Sequence, residues 1–98
     1  MKETEIQAEI MTYLEYRGIE CWRNNVGRRG GISFGEKGQP DIEGCLPDGR
    51  YLGIEVKRPK GKMSPEQKSF HIRIKRNNGV IFVAHSVEEV HEKLDELS

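Results

Sequence analysis

The sequence predicts an α/β domain in which helices pack on a small mixed sheet, in the order αβββαβα. Three observations predict it. Apolar residues recur at helical spacing near the N-terminus. Two alternating segments flank the turn residues Pro47-Asp48-Gly49-Arg50. Two serine-capped helices then bracket the apolar run Val80–Ala84.

Taken in order, 3–17 reads as a helix, because Ile6, Ile10, Tyr13 and Leu14 fall on one stripe and Gly18 stops it. Residues 19–25 form a short strand candidate. The stretch 26–39 is rich in Gly and Arg and has no period, so it is expected as a mobile loop with a functional use. Residues 41–46 and 51–57 are two strands, and the turn chemistry between them makes an antiparallel hairpin. After a basic loop at 58–63, Ser64-Pro65-Glu66-Gln67 opens a helix, with Ser as N-cap, Pro at the first helical position and Gln completing a capping box. Asn78-Gly79 ends it. Val80–Ala84 has the length and continuity of a buried strand. Ser86 caps a last helix, with Glu89 expected to complete a second capping box and Val87, Val90 and Leu94 facing inward.

The chain has 98 residues, enough for one compact domain spanning 1–98 with a thin core. A domain this small with a site cut into it gains from a second subunit that buries further apolar surface. No apolar run is long enough to span a bilayer, and the charged start leads straight into an amphipathic segment, so the reading is cytosolic. Cys21 and Cys45 fit no zinc spacing and do not cluster with His71, His85 or His91, so both are expected as reduced, partly buried residues. Net charge is zero, which argues against a general polyanion binder. Charge is nonetheless segregated: nine Lys or Arg lie between Arg50 and Arg76 against Glu55 and Glu66, with acidic residues at both ends. Such segregation can make one face attractive to phosphate, and it is equally the pattern of solvated helix faces.

The hairpin concentrates the chemistry. With its turn centred on Asp48, Asp41 falls opposite Glu55, and Lys57 shares their face two residues on. Ile42, Leu46, Leu52, Ile54 and Val56 fall on the other face as a core. Two carboxylates at about 5 Å repel each other unless something positive sits between them. Hard oxygen ligands suit Mg²⁺ or Mn²⁺, which can activate water against a phosphate, with Lys57 orienting that water or offsetting charge. The bland reading is a cross-strand ion pair on a wet face. Glu43 shares that face opposite Gly53 and is expected to be solvated.

Gln39-Pro40-Asp41 followed by Glu55-Val56-Lys57 resembles the PD-(D/E)XK nuclease superfamily, whose restriction-endonuclease-like core has the same αβββαβα order. Finer features resemble the virus-type replication-repair nuclease (VRR-NUC) family. They are Ile6-Gln7, Trp22-Arg23-Asn24-Asn25, Gly38-Gln39-Pro40-Asp41, the Pro47–Arg50 turn, Ile54-Glu55-Val56-Lys57 and Ser64-Pro65-Glu66-Gln67. The resemblance implies Asp41, Glu55 and the Val56 carbonyl as metal ligands and Lys57 as the catalytic lysine. It implies a first-helix glutamate as well; Gln7 is read as standing in that place, with Glu9 in reserve and a core amide as the bland alternative. For Gln67 it implies a site role, although the capping box alone would explain the residue.

Arg23, Arg28 and Arg29 flank this site in or beside the Gly-rich stretch, and Arg58, Lys60 and Lys62 follow the lysine. Such residues give phosphate affinity without reading sequence. Lys68, His71, Lys75 and Arg76 line one side of a helix that carries no set of base-reading side chains. Trp22 is expected in the core, with base stacking as its alternative use. The leading expectation is a Mg²⁺- or Mn²⁺-dependent DNA endonuclease; it resembles small viral or phage repair nucleases, and that resemblance implies selectivity for branched DNA such as Holliday junctions. It would act as a homodimer, with no membrane or small-molecule partner. The competing expectations are a non-catalytic DNA-junction binding module with a decayed site, and a partner-binding domain with an accidental triad.

Overall fold

The computed structural model describes residues 1–24, 28–29, 32–33 and 36–97. The elements are α1 (Glu3–Tyr16), β1 (Glu20–Arg23), β2 (Arg28–Arg29), β3 (Ile32–Ser33), β4 (Ile42–Cys45), β5 (Tyr51–Val56), α2 (Pro65–Arg76), β6 (Val80–Ala84) and α3 (Val87–Asp95). Four strands form one sheet in the order β1-β4-β5-β6. The first two pairings are antiparallel and β5 pairs β6 in parallel across the α2 crossover. This is the expected mixed α/β sheet with helices on its faces.

Side-chain alternation divides the sheet into two unlike faces. Ile42, Leu52, Ile54, Val56 and Ala84 point to one side and are fully buried against Ile6, Ile10 and Leu14 of α1 and Val90 and Leu94 of α3. Helix α2 lies over β6. Phe70, His71 and Ile81 are buried apart from the main core. His71 therefore does not join Lys68, Lys75 and Arg76 on an exposed side, and burial, with the Lys75 charge, lowers its pKa.

The β4–β5 turn closes as its sequence demands. Gly49 has φ 92° and its amide donates to the Leu46 carbonyl at 2.8 Å, while the Asp48 carboxylate accepts from the Arg50 amide at 3.0 Å. Ile42 then pairs with Ile54 and Glu43 with Gly53, the predicted register.

Four expectations are corrected. Within the stretch read as irregular, Arg28 pairs with Ser33 and Arg29 with Ile32. The residues between them in sequence are Gly30 and Gly31, a pair that tight hairpins select. Residues 25–27, 30–31 and 34–35, where a mobile loop is expected, lie outside the described residues. Glu89 does not reach back to Ser86: its carboxylate accepts from the His85 amide at 2.9 Å and contacts His85 Nδ1 at 3.0 Å, although Ser86 Oγ still accepts from the Glu89 amide. Cys45 is exposed and only Cys21 is half-buried, because Cys45 sits at the strand end beside the turn. Trp22 is 50% exposed, since β1 is an edge strand and its outer face has no helix over it among the elements in contact with β1.

Candidate functional site

The site begins one residue before β4. Asp41 is presented by a loop that is moored on both sides. Gly38 has φ 95° and lies so close to α2 that any Cβ there would collide with the Glu66 carbonyl oxygen. Gln39 accepts from the Glu36 amide at 2.7 Å and donates to Glu43 Oε1 at 3.3 Å. The Asp41 carbonyl accepts from the Asn24 amide at 2.8 Å, and its carboxylate Oδ2 accepts from the Val56 amide at 2.8 Å. Both loop and carboxylate are thus tied to the sheet.

Glu55 is 2% exposed. Its Oε1 accepts from Gln67 Nε2 at 2.9 Å and lies 3.8 Å from Lys57 Nζ. Its Oε2 is buried and receives no hydrogen bond from the described residues. Burial, foremost, and then the neighbouring Asp41 carboxylate push its pKa up to about 8, against the opposing pull of Lys57. The two acids converge, as the register predicts.

Gln67 makes both the capping box and a contact to Glu55, and the first fixes the second. Its backbone amide donates to Ser64 Oγ at 3.1 Å and its Oε1 accepts from the Ser64 amide at 2.8 Å. The capping box consumes the carbonyl end of the amide, so the NH₂ end is aimed at Glu55.

Gln7 is bound to the end of β1. Its Oε1 accepts from Arg23 Nη2 at 2.8 Å, which ties the end of β1 to α1. Glu9 is exposed. The first-helix acid that bears on the site is Glu3, whose Oε2 accepts from the Arg58 amide at 3.3 Å and whose charge helps to raise Glu55. Sequence reasoning missed it, although Glu3 lies one helical turn before Gln7 and therefore on the same stripe.

Arg58, Lys60 and Lys62 are exposed in the loop after β5, and Arg58 and Lys60 line a shallow hollow with Glu3. The Lys57 stem packs near Gly61 of that loop. Arg28 and Arg29 are placed as backbone in β2, and their side chains lie outside the described residues. Glu43, expected to be solvated, is 8% exposed: the Tyr51 hydroxyl donates to its Oε2 at 2.6 Å, and the Tyr51 ring lies 3.0 Å from where a Gly53 Cβ would stand. A side chain at position 53 would displace that ring.

Among the described residues no group of three or more His, Cys, Asp or Glu is arranged to hold a metal. Two carboxylates and an unpaired buried oxygen at Glu55 nevertheless form a hard, anionic donor set that fits a divalent cation. No helix among the described residues is long and apolar enough to cross a membrane.

The family model described as "VRR-NUC domain" matches residues 1–88. A solved structure titled "VRR_NUC domain" is similar with 26% identity and a TM-score of 0.71, covering 95% of this chain and 94% of that one. A search of curated proteins finds no match.

Proposed function

The chain belongs to the VRR-NUC domain family, a family of nuclease domains, and on that premise we propose that it is a metal-dependent endonuclease hydrolysing DNA phosphodiesters. The observation that carries this reading is the buried Glu55 carboxylate, a neighbour of Asp41, whose Oε1 lies near Lys57 while Oε2 has no hydrogen-bond partner among the described residues. A structural ion pair would pair both oxygens; a carboxylate left open next to a second acid is poised for a cation.

Asp41, Glu55 and the Val56 carbonyl are the residues that would hold Mg²⁺ or Mn²⁺. Such an ion, when bound, supplies Lewis acidity toward a phosphate oxygen and lowers the pKa of coordinated water. The rest falls to the chain itself. The Val56 amide fixes the Asp41 carboxylate, and Gln67 fixes Glu55. Lys57, half-buried on the same strand face, would orient the attacking water or offset charge building on the phosphorus. Gln7 supports the site at a distance through Arg23. Arg23, Arg58, Lys60 and Lys62, together with Arg28 and Arg29, supply sequence-independent phosphate affinity. The family resemblance adds branched DNA such as Holliday junctions as the substrate, cut in pairs by a homodimer.

The test is cleavage of labelled branched, flapped, nicked and linear DNAs with Mg²⁺, Mn²⁺ or EDTA, wild type beside Lys57→Ala. Metal-dependent cutting that Lys57→Ala abolishes is the expected result. Binding of branched DNA without cutting under any metal would replace the nuclease with a junction-binding module.

A further inference from the structure

Trp22 and Asn24 stand on the site's own sheet face but take no part in the carboxylate cluster. Trp22 pairs with Glu43 across β1 and β4, and the ladder runs on to Asn24, whose amide donates to the Asp41 carbonyl. Paired residues share a face, so Trp22 lies beside Glu43 and Gly53, one alternation from Glu55, and the Asn24 amide bond to Asp41 follows directly on the last ladder pair, Arg23 with Ile42. Strand spacing puts Asn24 about 5 Å from Asp41 at the backbone, and strand rise puts Trp22 about 6.6 Å behind Asn24.

Both side chains are left wanting a partner. The Trp22 indole is half exposed, and Asn24 Nδ2 is buried with no hydrogen-bond partner among the described residues. A buried donor N–H without a partner suits an anion's oxygen, not a second cation. A lone indole beside Asn24 and Glu43 offers far less apolar area than the roughly 800 Å² per partner of a stable protein interface. It does match a nucleobase, which any aromatic face can stack upon.

We propose that Trp22 and Asn24 form a nucleotide subsite, in which the indole stacks on an unpaired base and the Asn24 amide donates to a phosphate oxygen of the same strand. Bases within an intact duplex are already stacked and closed to an indole. The preferred substrate therefore carries an unpaired base beside the scissile phosphate, as at a single strand, a frayed end or a branch point. This inference rests on the nuclease reading and narrows it.

Trp22 is the chain's one tryptophan, so indole fluorescence reports on it alone. The experiment titrates the full chain in EDTA with a fluorescein-labelled oligothymidine and, separately, with a blunt-ended hairpin duplex. Anisotropy follows binding and Trp22 emission follows stacking. The single strand is expected to quench Trp22 saturably, and the duplex to leave it unchanged. Trp22→Ala should weaken single-strand binding about 5- to 150-fold, and Trp22→Phe should retain most of it. Asn24→Ala should slow Mg²⁺-dependent cleavage about 100-fold with an unaltered unfolding midpoint.

Quenching equal for duplex and single strand overturns the proposal, as does oligothymidine binding that leaves wild-type emission unchanged. A Trp22 emission shift that depends on protein concentration without DNA assigns the face to a second copy and also overturns it. Cleavage with a silent Trp22 sinks this inference alone. Absence of both cleavage and DNA binding sinks the nuclease reading beneath it.

Discussion

The Asp41 carboxylate accepts a hydrogen bond from the Val56 backbone amide at 2.8 Å, across the hairpin that sets Asp41 opposite Glu55. Strand β5 thus positions both acids, one by its own side chain and one through its backbone. Asp41→Asn keeps an oxygen for the Val56 amide and removes the charge. The variant should unfold at the wild-type denaturant midpoint while cleavage falls on the order of 10³-fold, the loss of several kcal/mol of metal-borne charge stabilisation. A destabilised Asp41→Asn would show that the carboxylate serves the fold.

The raised Glu55 pKa makes stability depend on pH. In the unfolded chain this carboxyl ionises near 4.5; in the fold, burial and Asp41 hold it protonated up to about 8. Between those values the folded state binds the extra proton, so unfolding free energy falls as pH rises. Metal-free protein should lose stability from about pH 4.5 to about pH 8, and Glu55→Gln should flatten that slope. At the upper end Mg²⁺ or Mn²⁺ should raise the melting temperature of wild type but not of Glu55→Gln, because binding needs the ionised form. Thermal melts across pH, with and without EDTA, measure both effects.

Gln67 separates capping from site chemistry. Gln67→Glu preserves an acceptor for the Ser64 amide and replaces the donor to Glu55 with an anion. Helix content should persist by circular dichroism. The rising limb of the rate–pH profile should move to higher pH, since Glu55 loses a hydrogen bond to its charged form and gains a like charge. An unmoved profile would reduce Gln67 to its cap.

Glu3→Gln keeps an acceptor for the Arg58 amide and removes the charge near Glu55. Titrating cleavage against Mg²⁺ should show about 10- to 100-fold more metal needed for half-maximal rate, the usual scale for a supporting residue of a metal site. An unchanged requirement would assign Glu3 to the loop contact alone.

Tyr51→Phe deprives the buried Glu43 carboxylate of its shortest hydrogen bond, leaving Gln39 as its remaining donor. Urea unfolding should show a loss of about 1–3 kcal/mol with an unchanged slope. A neutral Tyr51→Phe would mean that water replaces the hydroxyl.

The hairpin was the most legible part of the sequence, because local chemistry fixes it. Four turn residues set the register, and a period of two then divides Asp41, Glu55 and Lys57 from Ile42, Ile54 and Val56. The helix caps at Ser64 and Ser86 were legible for the same reason. Glu89 was misplaced because two donor sites compete for its carboxylate, and the His85 amide and ring together outbid the single Ser86 amide.

Everything that depends on which element meets which was decided by tertiary structure. Periodicity placed Gln7 on the inward stripe, but the path of α1 relative to β1 gave Gln7 to Arg23 and Glu3 to the loop beside Glu55. Alternation put Glu43 on a face, and only the ring of Tyr51 lying over Gly53 buried it. Trp22 looked like core because indoles are usually covered, and the edge position of β1 left it open. Sequence by itself determined the mixed α/β order, the two converging acids and the lysine beside them, since strand alternation and turn geometry act over a few residues. The structure alone decided which acids are buried, which amides hold them and which side chains remain unpaired, since these follow from packing between segments far apart in the chain.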